Sequence, residues 1–159
     1  MKKISGKEKA KDQAFKLLSY RPRSIKEIED RLKKKDYSSR VISEVTKNLK
    51  RLKFLDDREF ARMWVENRIR TKPMGRYRLY QELIQKGIDR ELIEKTLGNY
   101  QEEEEIELAK ELIRRKLKRS YQNLDEVTTK RRLYGFLQRR GFSYDTIQEV
   151  LKIIKEKAE

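Results

Sequence analysis

The chain of 159 residues carries 42 Lys and Arg against 27 Asp and Glu, a formal net charge of +15, and has neither cysteine nor histidine. That excludes disulfides, thiolate nucleophiles and zinc–thiolate sites, leaves any metal only oxygen ligands, and removes the usual acid–base side chain near neutral pH, so an enzyme is not expected. Charged residues make up 43%, yet Leu, Ile, Val and Phe reach a quarter of the chain, above the roughly one fifth at which chains fail to fold, so a thin, elongated core is expected.

The N-terminus is basic and polar, without the apolar stretch of a secretory signal, and residues 1–6 read as a flexible basic lead. From there apolar residues recur at spacings of three and four, and nearly every segment reads as helix. A first helix holds Ala14, Leu17, Leu18 and Arg21. After Pro22, Ser24 with Glu27 forms a capping box, each side chain satisfying an orphan N–H of the next helix. That helix runs to Leu32; a turn at Asp36-Tyr37 and a cap at Ser38 then open a helix with Val41, Ile42 and Val45. Asp56 with Glu59 reads as a second capping box, and Ala61, Trp64, Val65 and Arg68 repeat the first register. Pro73 and Gly75 precede a helix ending at Leu83. Lys86-Gly87-Ile88 turns into Asp89, a cap for the helix of Leu92, Ile93, Thr96 and Leu97. Ala109, Leu112, Ile113 and Lys116 give the register a third time. Asn123 with Glu126 reads as a third capping box, and Arg140-Gly141-Phe142 turns into Ser143 ahead of Thr146, Ile147, Val150 and Leu151.

The turns are equivalent. After Leu32, Leu83 and Leu137 an apolar residue follows at five positions, a cap at six and an aliphatic residue at ten, and the copies start 51 and 54 residues apart. The expected fold is all-α: three tandem three-helix, helix-turn-helix-like repeats over roughly 7–53, 54–100 and 101–157, stacked in an elongated, curved array. The alanines should mark close helix approaches. No apolar run reaches the ~18 residues of a membrane span, so no membrane partner is expected.

Charge is uneven along the chain. Residues 1–72 carry net +12, residues 73–106 net −3 with the run Glu102 to Glu105, and residues 107–159 net +6. Such basic ends suit a polyanionic partner. The candidate contacts are Arg21, Arg23, Lys33, Lys34 and Lys35; Arg68, Arg70, Lys72, Arg76 and Arg78; and Arg131, Arg132, Arg139 and Arg140. A solvated, salt-bridged helical surface is the alternative, and Arg21, Arg68 and Lys116, at one repeat position, could each close the end of their own helix. Asp56-Asp57 could serve as a carboxylate pair or simply favour a helix start. Tyr77, Tyr80, Tyr134 and Tyr144 could stack on bases or sit half-buried.

The stretch from Leu55 through Asp56, Asp57, Phe60, Ala61 and Trp64 to Arg68 resembles the hallmark segment of the RecX regulatory proteins of bacteria. Three other stretches agree in order: Leu18 to Ser24 leading to Glu27, Ile28 and Leu32; Lys72-Pro73-Met74-Gly75 leading to Leu83 and Gly87; and Arg139 to Ser143, with Gly141 and Phe142. Asp36 stands where a glycine is frequent, which implies a different turn geometry there. The resemblance implies a non-enzymatic, cofactor-free cytoplasmic modulator that binds RecA filaments on single-stranded DNA and suppresses their ATPase, strand-exchange and coprotease activities. Single-stranded DNA, and more weakly duplex DNA, would be held by charge, by an elongated monomer. The other class is a plain basic DNA-binding array competing for DNA, although its third helices carry few base-reading residues.

Overall fold

Small polar residues at the starts of the helices do what their spacing implies. In the computed structural model, which describes residues 6–154, 77% of those residues are helical and none is in a strand. Helix α1 spans Gly6–Tyr20, α2 Ile25–Lys33 and α3 Ser39–Arg51. The Ser24 capping box is complete, with Ser24 Oγ accepting from the Glu27 N–H and Glu27 from the Ser24 N–H. Ser38 accepts from the Val41 N–H to start α3. The flexible lead expected at 1–6 lies outside the described residues except for Gly6, the first residue of α1, and residues 155–157 of the third expected unit lie outside them too.

The second set is α4 (Asp57–Thr71), α5 (Arg76–Gln85) and α6 (Arg90–Gly98), and the third is α7 (Glu102–Ser120), α8 (Glu126–Arg139) and α9 (Tyr144–Leu151), followed by a short 3-10 turn. Asp56 caps α4 and Asp89 caps α6. The box at Asp56 is one-sided, because the Glu59 carboxylate pairs with Arg62 instead. Helix α8 departs from expectation. Its cap is Asp125, whose carboxylate accepts from the Thr128 N–H at 2.9 Å, while Asn123 lies two residues earlier in the preceding turn. An aspartate directly before the first helical residue outcompetes an asparagine further out.

The three second-to-third-helix turns share one geometry. Asp36 has φ +61°, Gly87 +78° and Gly141 +79°. In each, the following N–H returns five residues to the leucine of the shared register: Tyr37 to Leu32, Ile88 to Leu83, Phe142 to Leu137. This is the left-handed helix stop that glycine favours and that Asp tolerates. The different geometry expected at Asp36 is therefore absent, and the sequence departure changes the residue but not the turn.

Packing is mainly local to each set, although Leu108 of α7 reaches the cluster of the second set. Ala14, Ala61 and Ala109 are completely buried, where the first helix of each set lies on the third. Three separate apolar clusters result, one built around Ile28, Leu32, Val45 and Leu49, one around Leu79, Leu83, Ile93 and Leu97, and one around Ile113, Leu133, Leu137 and Ile147. Leu55 packs in the first of them. The accessible surface is 11278 Å², about a third more than the roughly 8500 Å² expected of a compact monomer of 19.4 kDa. The molecule is an extended row of small cores.

Candidate functional site

Each junction between sets uses the N-terminus of a second helix, whose first N–H groups have no partner within the helix. At the first junction the Ile25 N–H donates to Asp57 at 2.9 Å, and Ser24 Oγ donates to the Lys86 carbonyl at 2.6 Å. At the second, the Arg76 N–H donates to Glu105 at 3.3 Å, and the Gly75 N–H donates to the Arg140 carbonyl at 2.8 Å. Carboxylates from the next set thus face the positive ends of α2 and α5. Burial pushes the Asp57 carboxyl above its ordinary range, against the bond from Ile25. Glu105 is likewise raised by burial, being 4% exposed.

Close backbone approach seals both junctions. A Cβ on Gly75 would meet the Gly141 carbonyl oxygen at 2.2 Å, and one on Gly141 would meet the Arg78 N at 2.5 Å. At the first junction a Cβ on Gly87 would strike the Lys26 side chain. These glycines, with Leu55, Asp56, Asp57, Phe60, Ala61 and Trp64, act in packing and capping. The pair Asp56-Asp57 divides its work between the cap of α4 and the tie to α2.

Around the first junction charge is matched. Lys86 Nζ and Arg21 each bind Glu27 Oε1, at 2.7 and 2.8 Å. Burial alone would raise the Glu27 carboxyl, but hydrogen bonds from Arg21, Lys86 and the Ser24 N–H bring it down to about 2. Glu82 accepts from Trp64 Nε1 at 2.9 Å and from Arg68 Nε at 2.8 Å. Arg68 and Lys86 both lie 4.7 Å from the centre of the Trp64 ring, a cation–π arrangement. Beside it Arg21, Pro22, Phe60, Met63, Asn67 and Arg68 line a shallow cleft of about 300 Å³.

Around the second junction Lys72, Met74, Arg78, Phe136, Arg139 and Arg140 line a cleft of about 370 Å³. The Arg140 guanidinium donates to the Pro73 carbonyl at 2.9 Å, and its burial lowers its pKa. Arg140 and Lys116 lie 5.2 and 4.9 Å from the Phe136 ring centre. Here four of the sequence-predicted cations meet across 68 positions of chain.

The other candidates divide. Arg21 and Arg68 reach the second helix of their own set rather than closing their own helix, and Lys116 reaches Phe136. Arg23 is half-buried, donating to the Leu17 carbonyl at 3.1 Å. Arg76 is half-buried against the Tyr100 carbonyl at 3.4 Å. Lys33, Lys34 and Lys35 are exposed at the end of α2, Arg70 on α4, and Arg131 and Arg132 on α8. Tyr77 and Tyr144 are 66% and 64% exposed, whereas Tyr80 and Tyr134 pack against cores. Of the acidic run, Glu102 to Glu104 are exposed and Glu105 is buried in the junction. Sequence reasoning missed Glu27, Glu82, Lys86 and Phe136 as junction residues. The available signal was the repeat itself, which sets Lys86 and Arg140 at one position, each just before its glycine.

Models of three families match in order: RecX, first three-helix domain, at residues 10–49; RecX, second three-helix domain, at 56–97; and RecX, third three-helix domain, at 102–151. The regulatory protein RecX of Amycolatopsis mediterranei is 36% identical over 91% of this chain and 85% of its own. That of Chlorobium phaeobacteroides is 36% identical over 91% and 92%, and that of Bacillus subtilis 38% over 93% and 56%. The chain thus spans little more than half the length of the Bacillus relatives it matches. The crystal structure of RecX from Lactobacillus salivarius superposes with a TM-score of 0.83 at 28% identity, covering 94% of this chain and 96% of that one. A second crystal structure, of a regulatory protein RecX, gives 0.80 at 29%, covering 94% and 73%. Three matched domains in the same order, relatives alike over nearly the whole chain and a shared fold lead to one conclusion: the chain belongs to the RecX family of regulatory proteins.

Proposed function

We propose that the protein binds RecA filaments assembled on single-stranded DNA and lowers their ATPase, strand-exchange and coprotease activities, acting in the bacterial cytoplasm as a monomer. The observation that carries this reading is the order of three RecX three-helix domains along one chain. Two further features support it. An extended row of three small cores offers a long contact surface relative to its mass, suited to a partner that itself repeats. The formal charge of +15 favours association with a polyanion and speeds encounter with it.

The test is RecA's DNA-dependent ATP hydrolysis in moderate salt, with this protein titrated from far below to above the RecA concentration. A fall in rate at strongly substoichiometric protein is the expected result and means action on the filament. Inhibition that appears only near saturation of the DNA, and is relieved by added single strands, would instead make the protein a basic DNA-binding array that competes for lattice.

A further inference from the structure

The two junctions are copies of one design, and they differ where charge is neutralised. Counting from the second-helix cap, Glu27 in the first set corresponds to Arg78 in the second, each three residues after Ser24 or Gly75. Counting from the turn leucine, Glu82 corresponds to Phe136, each one residue before Leu83 or Leu137. Those are the two carboxylates that hold Arg21, Arg68 and Lys86 at the first junction. The second junction keeps the cations, with Lys116 at the position of Arg68 and Arg140 at that of Lys86, and carries neither carboxylate.

Four cations therefore line the cleft with Phe136, namely Lys72, Arg78, Arg139 and Arg140, and a fifth, Lys116, lies over its ring. Among the described residues the carboxylate paired with any of them is Glu82 alone, 3.8 Å from Arg78. Assembling so many like charges costs free energy unless an anion joins them. Three of the five are guanidinium groups, whose forked donors match a phosphate bidentately. The Arg140 fork is fixed by the Pro73 carbonyl and the Phe136 ring, so little freedom remains to be surrendered on binding.

We propose that this cleft between the second and third sets is a phosphate site that grips the backbone of a single nucleic-acid strand, with Glu27 and Glu82 occupying the corresponding place at the first junction. A cleft of about 370 Å³ admits one phosphodiester and its sugar. The site stands without RecA, so the assignment and the filament reading fail separately.

The test measures binding of a fluorescently labelled oligothymidylate of about 20 nucleotides across a salt series, in the absence of RecA. Arg78→Glu rebuilds the arrangement of the first junction, placing a carboxylate opposite Arg140, so helical circular dichroism and Tm should be kept. Its affinity should fall about tenfold, with the slope of log K against log salt reduced by about 0.7 for each phosphate no longer neutralised. Lys47→Glu, the same change of charge at an exposed site on α3, should lower affinity only about two- to threefold through net charge. Should Arg78→Glu fail to fold, Arg139→Gln serves instead, with an expected decrease of about threefold against less than about 1.5-fold for its charge-matched control Lys47→Gln, and the same direction of slope. Equal decreases in the cleft and Lys47 variants, or an unchanged salt slope, would overturn the site. An oligoglutamate peptide of matched charge competing as well as the oligonucleotide would overturn the assignment to nucleic acid.

Discussion

Gly141 holds φ +79° with Arg78 directly over the place its Cβ would fill. Alanine there combines a left-handed strain with a clash against backbone, and should cost about 2 kcal/mol or more in chemical denaturation. Gly98 is the control: it ends α6, and a Cβ there meets nothing within 4 Å. Gly98→Ala should be neutral or stabilise by up to about 0.5 kcal/mol. Equal effects at the two positions would refute the close approach. Residue by residue, much was legible in the sequence. Ala14, Ala61 and Ala109 stood out because burial demands a small side chain at a fixed phase of the repeat. The cap of α8 was misplaced because Asn123 and Asp125 both suit a helix start by type, and only the path of the chain decides between them. Glu27 was legible as a cap but not as the partner of Lys86, 59 residues away, since an ion pair between sets leaves no trace in local spacing.

At the level of the element, the starts of α2 and α5 gather carboxylates whose shifts differ in sign, Glu27 lowered and Asp57 and Glu105 raised. The folded Glu27 carboxyl, held at about 2, lies below the ordinary glutamate value of about 4.3. Its contribution is complete above that ordinary value and is lost as pH falls toward 2. Glu27→Gln should therefore destabilise at pH 7 by on the order of 2 kcal/mol, allowing for solvent at Arg21, and should flatten the decline of Tm below about pH 4.5. Glu105 has the reverse sign. Burial raises its carboxyl, so its ionised form is favoured less in the fold than in the unfolded chain, and stability is lost as pH rises through the raised value. Glu105→Gln keeps an oxygen able to accept from the Arg76 N–H and should leave Tm at pH 7 equal or higher. A marked fall would mean that the charge itself, facing the start of α5, outweighs its burial. The candidate cations were legible as a list, yet their grouping was not: Lys72 and Arg78 meet Arg139 and Arg140 only because α5 docks on the turn before α9.

Across the whole molecule, three cores joined by narrow contacts should unfold as coupled units rather than as one block. Trp64, the single tryptophan, lies between Arg68 and Lys86 at the first junction and reports on it. Gly75→Ala would push apart the second and third sets through a contact of 2.2 Å with the Gly141 carbonyl, while leaving all three cores intact. Tryptophan fluorescence and far-ultraviolet circular dichroism should then give separate midpoints in urea, where the unaltered protein gives closer ones. Coincident transitions in the variant would show that cooperativity does not pass through this contact. The all-α repeat was readable from the sequence because its period recurs three times. The junctions were not, because they join residues at different phases of successive repeats.

The starts of the three second helices also amount to a rule of grammar for such chains. Ser24 and Gly75 are small and buried beneath the set that follows. Asp125, at the matching place in the third set, is exposed and closes α8 with its own carboxylate. A unit with a successor hands the start of its second helix forward, and needs a residue small enough to be covered. Where the start lies open, as at Asp125, a longer side chain has room to close the helix alone. The relation runs head to tail and has no twofold partner, so it adds units to a row and does not pair two of them off. Such a chain can lengthen by repeating an existing joint, and the size of the residue at this one position decides whether the start of a second helix can be covered.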